Sequence, residues 1–358
     1  MDSRTRFINI ARGLPIDRKP YFNLWGPWGE TLARWSDEGA PENWTAGFGF
    51  DPGFAHVPVN LGYLPAFEYE ILKDEGRTVI ARDYSGATAR MMKGASTIPE
   101  YLEFALKDRP SWETLKLRLD PHDKTRFGDN FKREAERLNA GDAVNQIGTY
   151  PWGMFGTPRD MFGLENLMFA FYDDPELVRE VMDYLTDFWI AIWEEAAKLV
   201  RIDAVHIWED MSGKQGPLIS PAMVRGYMGP CYKKVSAFCA RHDISIFSVD
   251  TDGDVAQLVE PFMESGVTML FPFEVQAGCD VNEYLKKYPD LTCMGGVNKR
   301  ALEGSFRDID EELERLAPAM ASRRYLPQLD HLPHPQIPWK NMCYYFERIK
   351  ELCYGWRE

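Results

Sequence analysis

In the run HIWEDMSGKQGPLISP, residues 206–221, the groups His206, Glu209, Asp210, Ser212 and Lys214 fall within nine positions. Further along, Asp250 and Asp252 flank a single threonine, Glu274 closes the run VTMLFPFE, and Asp330 precedes His331 in DHLPHP. Carboxylates crowded into one place raise the pKa of at least one of them, which suits a general acid. The same crowding also suits a cationic substrate, or a divalent metal held through the oxygens of Asp250 and Asp252. An imidazole such as His331 can shuttle protons or fix a carboxylate. Glu209, Asp210, Asp250 and His331 are therefore the candidate catalytic groups.

What must position them is a set of strands, because each group stands where an apolar run ends. Asn23 follows PYF, Tyr150 follows NQIGT, Glu209 and Asp210 follow VHIW, and Asp250 follows IFSV. Glu274 follows LFPF, Asn298 and Lys299 follow MGGV, and Asp330 and His331 follow YLPQL. From about residue 140 onward these runs alternate with amphipathic segments. One is the 175–197 stretch, where Asp174 can cap a helix that has Pro175 in its first turn. The alternation predicts a parallel sheet with helical crossovers, an α/β fold of the (β/α)8 barrel type in one domain. In such barrels the loops at the carboxyl ends of the strands build the active site.

The first 140 residues are less regular. PYFNLW reads as a first strand, and RTVIARDYSGATARMMKG as a β-hairpin turning at Tyr84-Ser85-Gly86, an insertion able to cover one mouth of the barrel. The Gly- and aromatic-rich stretch 46–63 brings Asp51 and His56, either to line a flat apolar site or within a packed covering loop. Plainer roles compete at other positions. Strands stop where polarity begins, Glu209 or Asp210 could serve as a cap or ion-pair partner, His206 could be a satisfied core histidine, and Lys299 could cap a helix. The expected substrate contacts are Asn23, Trp25, Asp51, His56, Tyr150, Arg159, His206, Lys214, Glu274 and Lys299.

Composition narrows the partners. The 358 residues carry a net charge of −14 with 13% aromatics, which fits a small-molecule site and opposes nucleic acid or an anionic membrane surface, since both need a basic patch. No apolar run approaches the roughly 20 residues of a membrane span. The opening MDSRTRFINIARG has no apolar signal core, which predicts a cytoplasmic protein with its six cysteines reduced. There is no CxxC, GxGxxG with strand and helix context, GxxxxGK[ST], GxSxG or HExxH.

Five stretches, MDSRTRFINIARGLPIDRKPY, DDPELVREVMDYLTDF, EDMSGKQGPLISPAMVRGYMGPCYKKV, TDGDVAQLVEPFMESGVTMLFPFE and YLPQLDHLPHP, resemble the uroporphyrinogen decarboxylase superfamily, which also contains cobalamin-dependent methyltransferases. The resemblance implies an eight-stranded β/α barrel, often dimeric, with a deep site at its carboxyl mouth, and sets Asp51 and His331 near the family's functional Asp and His. Two departures bear on the reaction. Decarboxylases carry a motif close to RQAGRYLPEY after the first strand, whose arginines hold substrate carboxylates; here stands NLWGPWGETLARW. Zinc methyltransferases use a His-x-Cys pair and a distant Cys; here stand Asp250-Thr251-Asp252, then Gln328 and Leu329. The expectation is thus methyl transfer between a small O- or N-methylated compound and a corrinoid on a partner protein, with no covalently bound cofactor and acid assistance from the barrel mouth. The alternatives are a carboxy-lyase acting on a tetrapyrrole or smaller acid, and a barrel that binds a ligand without chemistry.

Overall fold

The structure is a computed structural model that describes residues 1–94 and 99–357. Its strands are β1 (Phe54–His56), β2 (Glu70–Asp74), β3 (Thr78–Arg82), β4 (Thr88–Met92), β5 (Glu100–Glu103), β6 (Val144–Ile147), β7 (Ala204–Trp208), β8 (Ser212–Gly213), β9 (Gly216–Pro217), β10 (Ile246–Asp250), β11 (Met269–Phe271), β12 (Thr292–Val297) and β13 (Tyr325–Leu329). Among the described residues β1, β6, β7, β10, β11, β12 and β13 form one parallel sheet in that order, with helices between them. This is the barrel-type α/β fold that the alternation predicts.

The eighth stave departs from expectation. Residues 20–25 span the gap between β13 and β1 without entering the ladder. Instead the Gln328 side-chain amide donates to the Phe22 carbonyl and accepts the Leu24 N–H, at 2.6 and 3.0 Å, while the Asp51 N–H donates to the Tyr21 carbonyl at 2.6 Å. A side-chain amide carries one donor and one acceptor like a peptide group, so it can stand in for a ladder bond. Gln328 occupies the neighbourhood where zinc methyltransferases of the resembled superfamily place a ligand cysteine, and here it serves barrel closure.

Strand registers show which side chains face the interior. Phe54, Val144, Ala204, Ile246, Met269, Met294 and Leu326 form an apolar lower layer together with Phe22. Phe7, Ile10 and Ala11 of the Ser3–Arg12 helix join that cluster, and Phe7 lies 4.8 Å from Phe22 and 5.2 Å from Phe54, so the helix plugs the amino-terminal end. Each fully buried Phe, Ile, Val, Leu or Met among them contributes about 1.5–3 kcal/mol. One step further along the strands the inward positions turn polar: His56, Gln146, His206, Ser248 and Gln328. The barrel is thus closed below and chemically functional above.

The Pro175–Ala197 helix forms as its sequence predicts, Asp174 accepting the Leu177 N–H and eleven side chains buried along its inner stripe. The predicted hairpin is β3–β4, widened by β2 and β5 into a four-stranded antiparallel sheet. Its turn residues Tyr84 and Ser85 share a side cavity with Pro151 and Trp152 of the loop after β6. No helix among the described residues is long and apolar enough to cross a membrane.

Candidate active site at the barrel mouth

Trp208 and Asp250 pair across β7 and β10 at their carboxyl ends, and both face inward. Asp250 is part-buried there. It has no hydrogen-bond or ion-pair partner among the described residues. Burial pushes it well above the usual carboxylate range, and like-charge repulsion from Asp252 and Asp210 adds to the shift. Both effects favour its protonated, acid form.

Around it the chain arranges a continuous set of contacts. The Asp252 carboxylate lies 3.4 Å from His331 Nε2, and the His331 ring stacks on Trp25, 5.7 Å away and 19° from parallel. Trp25 is fixed in turn by its indole N–H, which donates to the Leu329 carbonyl at 2.7 Å. His331 Nδ1 is buried without a partner. On the other side, Arg159 donates to the Asp210 carboxylate at 2.8 Å and to its carbonyl at 2.6 Å, and lies 4.9 Å above the Trp208 ring. Tyr150 packs edge-on against Trp208 at 4.7 Å and is largely exposed. The backbone at Asp210 has φ 41°, a left-handed conformation that aspartate tolerates better than most side chains.

The floor is aromatic and imidazole. His206 Nδ1 lies 3.0 Å from the Ser248 hydroxyl, its ring is 5.2 Å from Phe271, and Phe271 is 6.1 Å from Trp25. Burial holds its imidazole at about 3, with the neighbouring His56 adding to the shift, so His206 is neutral throughout the physiological range. His56 is exposed within the mouth yet shielded enough for burial to lower its pKa. Lys299 sits near Asp330, Glu274 and Asp252; burial lowers its pKa against their attraction, and its ammonium makes no hydrogen bond among the described residues. Glu274 accepts the Gly253 N–H at 3.1 Å, which fixes the turn after β10.

Several sequence-predicted residues lie elsewhere. Glu209 points outward, opposite Trp208, and is fully buried. Its carboxylate accepts the N–H groups of Met154, Phe155 and Gly156 at 3.0, 2.6 and 3.0 Å and the Tyr232 hydroxyl at 2.5 Å. Burial pushes its pKa up against these four donors. Glu209 is therefore the joint that ties the loop after β6 to β7, and the reading of it as a mouth acid is corrected. The joint needs two glycines, because a Cβ at Gly153 or Gly156 would lie 1.8 or 2.6 Å from the Trp208 carbonyl oxygen. Asp51 precedes β1, at the amino-terminal end, and is held by Arg18 through two 2.6 Å bonds and by the Tyr21 N–H at 2.8 Å, so it does not reach the mouth. Asn23 donates to the Trp25 carbonyl at 2.9 Å, a local turn bond. Asp330 accepts the Lys299 and Val275 N–H groups and is fully buried. Lys214 is exposed in the turn between β8 and β9. Asp250 and Asp252 gain no further metal ligand: among the described residues no three His, Cys, Asp or Glu side chains gather as a metal cage.

Trp208, Ser248 and Phe271 line the site and were not singled out in the sequence, although the alternation 204-206-208 and 246-248-250 places them on the same faces as Ala204, His206 and Asp250.

The sequence pattern that describes uroporphyrinogen decarboxylase (URO-D) matches residues 145–352, more than half of the chain. The chain belongs to the uroporphyrinogen decarboxylase family. The matched region holds most of the mouth: Trp208, Asp210, Asp250, Asp252, Phe271 and His331. Among solved structures, a methyltransferase from Methanosarcina mazei is similar over 98% of this chain and 99% of its own, with a TM-score of 0.62 and 16% identity. At that identity the likeness is one of fold. No curated protein matches the sequence.

Proposed function

We propose that this URO-D family protein moves a methyl group from a small O- or N-methylated compound to the corrinoid of a partner protein. The observation that carries the reading is Asp250: a carboxyl without a hydrogen-bond or ion-pair partner among the described residues, at the carboxyl end of a barrel strand, whose surroundings favour its acid form. Removing a methyl group from oxygen or nitrogen leaves an electron pair on the heteroatom, and a poor leaving group of this kind departs readily only if it is protonated as the bond breaks. Asp250 donates that proton to the heteroatom. The Asp252–His331 pair stands next to it to return one from solvent.

Trp25, Trp208, Phe271 and the neutral His206 form walls that hold an apolar or weakly cationic donor and keep water from the breaking bond. A reduced corrinoid on a docked partner protein would supply the nucleophile that accepts the methyl group. The exposed Tyr150, packed on Trp208, offers an aromatic face to such a macrocycle. A carboxy-lyase is the second reading and rests on Lys299, whose unengaged ammonium can hold one carboxylate; with Arg159 committed to Asp210, the mouth offers little for a substrate with many.

The test mixes the purified protein and cob(I)alamin with a panel of methoxylated and N-methylated compounds and follows the corrinoid absorbance. Methyl transfer gives a donor-dependent spectral change that is lost in Asp250→Asn. An unchanged spectrum across the panel, together with CO₂ release from a small acid, replaces this reading with the second.

A further inference from the structure

Asp250 stands in a row of side chains that the sheet register fixes. Its Cα partners are Trp208 on β7 and Phe271 on β11, and partner positions on neighbouring strands, about 4.8 Å apart, point to the same face of a sheet. The carboxyl is therefore flanked by two aromatic rings. Trp25 extends that wall, 6.1 Å from Phe271. Trp25, Trp208 and Asp250 each keep part of their surface open to solvent, so the row is reachable from the mouth.

The charges around the row are unequal. Arg159 is engaged by Asp210 at 2.8 Å and His331 by Asp252 at 3.4 Å, while the Lys299 ammonium lies among Asp330, Glu274 and Asp252. No cation among the described residues pairs with Asp250, although Asp252 and Asp210 both oppose its negative charge. The ligand that suits this place brings the missing positive charge, and ring faces attract such a charge as well. An anion is repelled by the same carboxylates, and a neutral ether uses only the carboxyl O–H of Asp250.

We infer that the methyl donor is a tertiary N-methylamine, held as its ammonium by the Asp250 carboxylate between the rings of Trp208 and Phe271. This rests on the methyl-transfer reading and narrows its donor from oxygen or nitrogen to nitrogen. The free amine takes the Asp250 proton onto its lone pair, which leaves an ammonium beside a carboxylate. As a methyl carbon passes to the electron pair of the nucleophile, the C–N bond breaks, its pair stays on nitrogen, and a neutral secondary amine departs.

The experiment titrates the full chain with trimethylammonium, and with tert-butanol as its uncharged counterpart of similar shape, following tryptophan fluorescence and calorimetric heat. Trimethylammonium binds at least tenfold more tightly than tert-butanol. Asp250→Asn reduces that preference to under about threefold, Trp208→Leu weakens trimethylammonium about tenfold, and Asp51→Asn, at the opposite end of the barrel, changes neither. Thermal melting verifies that each variant is folded. Equal affinity for the two probes, or a folded Asp250→Asn that keeps the full preference, overturns the inference. With cob(I)alamin as acceptor, trimethylamine methylates it and anisole does not. Methylation by anisole alone overturns the inference and leaves the methyl-transfer reading intact, whereas tight trimethylammonium binding without methylation by any donor overturns that reading while the ammonium site stands.

Discussion

Glu209 and Asp250 end neighbouring strands, and the Glu209 N–H even donates to the Asp250 carbonyl at 2.8 Å. Burial raises the pKa of both. Four donors converge on Glu209, whereas Asp250 has none and instead faces two like charges. The difference teaches that a perturbed carboxyl pKa does not by itself identify catalysis. A buried carboxyl with every acceptor site filled is a fastening, and one with its proton unspent is a reagent. One residue of strand alternation separates the two fates, because Trp208 and Asp250 face the barrel axis and Glu209 faces the helices.

This contrast can be broken in order of expected effect. Asp250→Asn should lower methyl-transfer turnover by about 10²–10⁴-fold, the usual contribution of a positioned acid, with stability unchanged or raised because asparagine has no ionised form to give up on folding; a variant that keeps full turnover would remove Asp250 from the chemistry. Glu209→Ala should do the reverse. It strands three N–H groups and a hydroxyl in a dry interior at about 1–3 kcal/mol apiece, so a loss of at least about 3 kcal/mol is expected in urea titration. A loss under about 1 kcal/mol would mean that the joint is not what holds the loop.

The pH dependence separates the groups further. Below pH 3.8 both the folded and the unfolded chain keep the Asp250 proton, so its raised folded pKa stabilises the fold most at acid pH, and that contribution is lost as pH rises toward the folded value. His206 has the opposite sign: folded it titrates at about 3 and unfolded at 6.5, so it destabilises the fold progressively as pH falls from 6.5. Each acts with a slope of up to about 1.4 kcal/mol per pH unit. Denaturant midpoints of Asp250→Asn and His206→Gln over pH 4–8 should therefore diverge from the original chain at opposite ends of the range, and parallel curves would contradict both placements. The smallest effect is expected from Asp51→Asn, at the far end of the barrel: roughly 1 kcal/mol of stability through Arg18, with turnover within twofold. A large activity loss there would move the site.

The barrel was legible because buried strands and amphipathic helices differ in period and are punctuated by capping residues such as Asp174 and Ser220. The mouth was partly legible, since polarity at strand ends located Asp250, Asp252, Tyr150 and His331. Asp51 and Glu209 were misplaced for different physical reasons. Asp51 comes before its strand rather than after it, and β1 is only three residues long, too short for its direction and ends to be read from alternation. Glu209 was ambiguous because a strand–loop junction allows either face, and its donors come from residues 154–156 and 232, more than twenty positions away on either side. PYFNLW was read as a strand from its composition, but its neighbour contributed a side-chain amide instead of a ladder.

By itself the sequence determined the alternation of elements, the acidic character of the chain and the residue types available at each strand end, because these follow from local periodicity and composition. Only the tertiary structure decided which carboxyl is saturated and which is bare, that Gln328 closes the barrel, and that Trp208, Asp250 and Phe271 stand in one row across three strands. Hydrogen-bond satisfaction and desolvation depend on atoms brought together from distant parts of the chain, and no local pattern records them.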